Sequence, residues 1–62
     1  MFKVGQVVFY LDKKVKATVF DPGSTLTTIS FFTHEGYHSL NVINDQIIDY
    51  EEYLMLQRDD KR

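Results

Sequence analysis

The chain has 62 residues, no cysteine and a formal net charge of -2. This length predicts one domain, and the lack of cysteine excludes disulfides and thiolate metal sites. No apolar run approaches the ~20 residues of a membrane span and no signal-peptide pattern opens the chain, so we expect a cytoplasmic protein that makes no membrane contact.

The first third of the chain predicts two strands joined by a short polar turn. In 2–11 Val7, Phe9 and Leu11 share one face, in 15–20 Val15, Ala17 and Val19 share one face, and Asp12-Lys13-Lys14 separates the two segments. A three-residue turn would place Phe9 opposite Ala17. Residues 21–24, Asp-Pro-Gly-Ser, form the clearest turn signal in the sequence, and a connection over 21–25 would place Ala17 opposite Ile29.

The segment 25–42 predicts a β-hairpin that folds back at Glu35-Gly36. This register pairs Phe31 with Leu40, and it predicts a positive φ at Gly36. The successive short turns give all four strands a common apolar face. The predicted inner face consists of Val7, Phe9, Leu11, Val15, Ala17, Val19, Ile29, Phe31, Leu40 and Val42.

The C-terminal third is open to two interpretations. Residues 47–50 suit a short fifth strand, but Ile47, Tyr50 and Leu54 are also spaced as one face of a helix. Asp49 followed by Glu52 resembles a capping box and predicts a helix over 53–58. Residues 59–62 are expected to be a frayed polar tail.

A sheet with one apolar face must curl on itself or be covered by another element. At this point the stretch Val4-Gly5-Gln6-Val7-Val8 resembles the opening strand of SH3-like barrels of the Tudor or KOW type, and 42–48 resembles their penultimate strand, short helical turn and last strand. We therefore expect a mainly β domain over 1–62: a four- to five-stranded antiparallel meander closing into an SH3-like barrel, with a short C-terminal helix. The alternative is a meander with the helix packed across its open face.

Catalytic and metal chemistry are not predicted. His34 and His38 are expected on opposite faces of the hairpin, and the acidic residues at 49–52 suit a helix N-terminus. The chain has no phosphate loop or nucleophile motif, so we expect neither an enzyme nor a cofactor.

The sequence favours a small non-catalytic binding module that regulates or inhibits a protein partner, as phage accessory proteins do. The runner-up is a KOW- or Tudor-like nucleic-acid binder, because Lys13, Lys14 and Lys16 cluster, although the negative net charge predicts weak binding at best. A subunit that self-associates through a sheet edge is a third class, and the oligomeric state stays open.

The predicted register also defines an outer surface. It directs Tyr10, Lys16, Phe32 and Tyr37 outward, and we expect these four residues to contribute to partner binding because aromatic residues are enriched at interfaces. The alternative is that outward aromatics such as Phe20 and Phe32 fold over the open rims of the barrel.

Overall fold

A computed structural model describes residues 2–60, with side chains through Arg58. The fold is mainly β, as predicted, with a short 3-10 turn and one C-terminal helix. The elements in chain order are β1 Val7–Tyr10, β2 Val15–Asp21, β3 Leu26–Thr33, β4 Gly36–Ile43, the 3-10 turn Asn44–Gln46, β5 Ile47–Asp49 and α1 Tyr50–Asp60. The predicted tail is helical at 59–60, and its last two residues lie outside the described part of the chain.

All five strands form one antiparallel sheet in the order β4-β3-β2-β1-β5. The first four strands make the predicted meander, and β5 returns to pair with β1 on the far side. The edge strands β4 and β5 do not pair with each other within residues 2–60, so the sheet is not a closed barrel.

One face of the sheet carries the core. Its buried apolar side chains come from all five strands and form one cluster: Val8, Tyr10, Ala17, Val19, Ile29, Phe31, Val42 and Ile47. The helix lies on the opposite face, where Tyr53 stacks on Phe9 at 3.9 Å between ring centroids. The helix therefore does not cover the core face, against which Phe2, Val15 and Leu40 also pack.

The β1–β2 register differs from the predicted one by a single residue. Val8 pairs with Ala17 and Tyr10 with Val15, because the turn has four residues rather than three. Lys14 makes the longer turn by adopting a left-handed φ of 57°, and its N–H donates to the carbonyl of Tyr10 at 2.7 Å. A one-residue shift moves every side chain of a strand to the other face.

The shift makes three inner-face predictions in the first strand wrong. Val7 and Leu11 are each 42% exposed, and Phe9 lies on the helix side of the sheet. Val8 and Tyr10 occupy the core in their place.

The β2–β3 and β3–β4 registers each differ from prediction by two residues. Val19 pairs with Ile29, and Ile29 pairs with Leu40. The hairpin therefore turns at His34-Glu35 rather than at Glu35-Gly36, although the positive φ predicted for Gly36 is confirmed at 127°. Since a strand has a period of two, these shifts leave the predicted inner face of β2, β3 and β4 intact.

Hydrogen bonds between polar groups tie the base of the β3–β4 hairpin to the connection between β2 and β3. Thr27 is fully buried, and its hydroxyl donates to Oδ1 of Asn44 at 2.5 Å. The Asn44 amide in turn donates to the carbonyl of Gly23 at 2.9 Å. The 3-10 turn that begins at Asn44 is thereby held beside the β2–β3 connection, which directs β5 back toward β1.

The helix begins at Tyr50, three residues before the predicted start. Asp49 is its N-cap, as predicted, because Oδ1 accepts hydrogen bonds from the backbone N–H groups of Glu51 at 2.8 Å and Glu52 at 3.4 Å. Ile47 is buried in β5, so the interpretation of Ile47 as part of a helix face is wrong. A helix packed across the apolar face is also contradicted, since α1 contacts the other face through Phe9.

Candidate functional site: the outer face of the sheet

Two exposed aromatic rings lie side by side near the tip of the β3–β4 hairpin. Phe32 and Tyr37 are cross-strand partners, and their rings meet edge to face at 4.8 Å between centroids. They are 75% and 57% exposed. Both residues project outward as predicted, and we call them the hairpin aromatic pair.

Lys16 also lies on the outer face, but beside the helix. Its Nζ is 5.2 Å from the centroid of the Tyr50 ring, within the range of a cation–π contact. Tyr50 and Tyr53 continue this cluster to Phe9. The contact that Lys16 makes is therefore with the helix, whereas the hairpin aromatic pair lies on β3 and β4.

The outward placement predicted for Tyr10 is wrong. Its side chain is 7% exposed and lies in the core, with its ring 6.3 Å from that of Phe31. The cause is the four-residue turn that shifts β1 by one residue. Tyr10 in this position cannot reach a partner on the outer face without unfolding of the core.

The alternative in which the outer aromatics cover the rims is contradicted. Phe20 is 64% exposed, and Phe32 is still more exposed. The sequence reasoning missed other exposed apolar side chains, namely Ile43 at the edge of the sheet beside Leu26, and Met55 and Leu56 on the helix. The alternation of β4 could have indicated Ile43, since it shares a face with Tyr37.

The histidines and Asp49 make local contacts within residues 2–60. No group of three His, Cys, Asp or Glu side chains in the described residues is placed to hold a metal ion. His38 pairs with the Thr33 hydroxyl at 2.9 Å and lies 5.6 Å from the Phe31 ring, whereas His34 is exposed at the turn. Asp49 is used for structure, because its second carboxylate oxygen accepts a hydrogen bond from Gln6 at 2.9 Å.

Within the described residues, the single helix is too short and too polar to cross a membrane. No family model, curated protein or solved structure matches the chain.

Proposed function

We propose that this chain is a small non-catalytic binding module that regulates or inhibits a protein partner, and that the partner docks on the outer face at the β3–β4 hairpin. The observation that supports it most directly is the hairpin aromatic pair, which contributes nothing to the core and is exposed over most of its surface. Tyr and Phe are enriched at protein interfaces, and Tyr is among the residues that contribute most to binding energy there. Contact between the two rings restrains them before binding, which lowers the entropy cost of ordering them.

The surroundings of the pair indicate the chemistry of the partner. Along the outer face of the hairpin the next cross-strand pairs are Ser30–Ser39, Thr28–Asn41 and Leu26–Ile43, none of which is charged. A surface of this composition suits an uncharged partner patch that combines apolar side chains with hydrogen-bonding groups. The contact would gain little from electrostatic attraction.

The SH3-like barrel is likewise a proposal. It is supported by the 3-10 turn Asn44–Gln46, which lies where the resemblance predicts a short helical turn, and by the return of β5 beside β1. A strongly curled sheet in an experimental structure, with enough room between the β4 and β5 edges for β4 to stay open, is the expected result. A flat sheet with those edges far apart would contradict it.

The nucleic-acid alternative has weaker support. Lys13 and Lys14 are exposed in the first turn, but Lys16 points over Tyr50 on the outer face, and the net charge is -2. Phosphate binding needs several cationic contacts. We expect weak binding to generic DNA or RNA that falls as salt rises, and submicromolar binding near physiological salt would make this the leading function.

The docking surface is tested by capture of partners from a lysate of the source organism with the wild type and three variants. Phe32→Ser and Tyr37→Ser remove the pair, and Phe20→Ser is the matched control because Phe20 is a similarly exposed phenylalanine on β2. We expect the affinity for a captured partner to fall about tenfold or more in the first two variants and to be unchanged in the third. Melting temperatures check that each variant is folded.

Retention of the partner by folded Phe32→Ser and Tyr37→Ser would contradict this surface. Equal losses in all three variants would also contradict it, because they would show that general exposure of apolar side chains, rather than this pair, determines capture.

A further inference from the structure

The strand β4 forms one edge of the sheet and is unusually open to pairing. Its eight residues, Gly36–Ile43, pair with β3 over their full length without a bulge, and in residues 2–60 no strand lies on its other side. The opposite edge is different, because β5 has only three residues and its chain passes directly into the helix. Unpaired backbone groups are therefore concentrated along β4.

The alternation of backbone hydrogen bonds in the hairpin shows which N–H and C=O groups of β4 point away from β3. The N–H of Asn44 donates to the carbonyl of Thr25 at 2.9 Å, which makes 25 and 44 a hydrogen-bonded pair at the end of the ladder. Hydrogen-bonded pairs alternate along an antiparallel ladder, so the backbone groups of every second residue of β4 are directed away from β3. These residues are Tyr37, Ser39, Asn41 and Ile43.

The side chains of β4 do nothing to block this edge. Natural proteins protect edge strands with lysine or other charges, with proline, or with bulges. The β4 sequence GYHSLNVI contains no Lys, Arg, Asp, Glu or Pro. A long, regular and uncharged edge of this kind is a predicted site of strand addition.

We propose that two copies of the chain associate through their β4 strands, antiparallel across a two-fold axis, to form one continuous sheet. In the register centred on Leu40, Leu40 faces Leu40 of the second copy. Ser39 then exchanges both backbone hydrogen bonds with Asn41 of the second copy, and Tyr37 lies opposite Ile43 of the second copy. On the outer face each strand thus offers its partner an apolar side chain for an apolar one and a polar side chain for a polar one, while on the inner face Leu40 meets Leu40 and His38 lies opposite Val42.

Other registers fit less well. A shift of two residues in one direction places Ser39 opposite itself and leaves Ile43 beside Glu35 of the turn. The shift in the other direction places Asn41 opposite itself and leaves Tyr37 beside Asp45. Only the register centred on Leu40 aligns all of 37–43 with the same segment of the second copy, and this self-complementarity favours a second copy over an unrelated peptide.

The charges next to β4 predict an unusual salt dependence. Each chain carries a net charge of -2, and Glu35 and Asp45 flank the two ends of β4, so association brings like charges of the two copies closer together. Added salt screens this repulsion, so dimerisation should strengthen as salt rises. Electrostatic binding to nucleic acid has the opposite dependence, which separates the two behaviours in one titration.

The proposal goes beyond the proposed function and shares only Tyr37 with it. Strand addition extends the sheet in its own plane, which leaves Phe32 on the outer face accessible. The variant Phe32→Ser should dimerise like the wild type, so failure of the docking surface and failure of the dimer give different results.

The test is sedimentation equilibrium of the full chain from about 10 µM to about 1 mM, at low and high salt. Ser39→Pro removes a backbone N–H that points away from β3, so it blocks the dimer and spares the intrachain ladder. Ser39→Thr is the matched control. We expect the wild type and Ser39→Thr to dimerise and Ser39→Pro to dimerise about tenfold more weakly or not at all, with circular dichroism showing that it is folded.

The register is tested on the wild type, which needs no variant to fold. In a sample mixed from isotope-labelled and unlabelled chains, NMR contacts between the Leu40 methyl groups of different copies are expected. A wild type that sediments as a monomer throughout would overturn the proposal. A dimer that persists in Ser39→Pro, or one whose contacts between copies avoid β4, would also overturn it.

Discussion

In both hairpins the observed strand pairing differs from the predicted pairing, but the effect on which side chains enter the core is not the same. The β1–β2 hairpin is shifted by one residue from the prediction, and its first strand turns over so that Val8 and Tyr10 enter the core. The β3–β4 hairpin is shifted by two residues, and Ile29 and Phe31 are buried as predicted. The size of the error therefore matters less than whether it is odd or even, because side chains alternate between faces.

The largest effect is expected in the hairpin with the even shift. Phe31→Ala should lower the free energy of unfolding by about 3–5 kcal/mol, because it opens a cavity among buried side chains. Its neighbour Phe32 is largely exposed, so Phe32→Ala should change stability by no more than about 0.5–1 kcal/mol, the contribution of a cross-strand aromatic pair. Chemical denaturation measures both, and equal losses would show that the face assignment of β3 is wrong.

A smaller effect tests the hairpin with the odd shift. Val8→Ala should cost about 2 kcal/mol, since Val8 is fully buried. The matched variant Val7→Ala should stay within about 0.5 kcal/mol, because Val7 is largely solvated. A larger loss of stability in Val7→Ala than in Val8→Ala would support the predicted three-residue turn and contradict the observed position of Tyr10.

The smallest effects concern the two turns that determine the shifts. Gly36 has a φ of 127° and nothing lies within 4 Å of the position of an added Cβ, so Gly36→Ala should cost about 1–2 kcal/mol from backbone conformation alone. Lys14 has a left-handed φ without being glycine, so Lys14→Gly should stabilise the protein by up to ~1 kcal/mol. Thermal unfolding of both variants checks the signs, and a destabilised Lys14→Gly would argue against a left-handed conformation at Lys14.

The proposed docking surface shows the same division between the hairpins. Phe32 and Tyr37 project outward in the predicted and in the observed register, because the two differ by an even number of residues. Tyr10 does not, because its strand shifted by one. Lys16 is exposed as predicted, but its aromatic contact is Tyr50 at the start of the helix, a residue that the predicted helix over 53–58 does not include.

The sequence by itself determined the first four strands and their order, the alternation that buries one face of β2, β3 and β4, and the cap at Asp49, because each of these depends on neighbours within a few residues. The tertiary structure alone decided the face of β1, the side of the sheet that the helix covers and the removal of Tyr10 from the outer face. Those outcomes depend on one left-handed residue, Lys14, and on the stacking of Tyr53 on Phe9. A lysine carries no local preference for positive φ, and residues 44 positions apart carry no periodic signal of their contact.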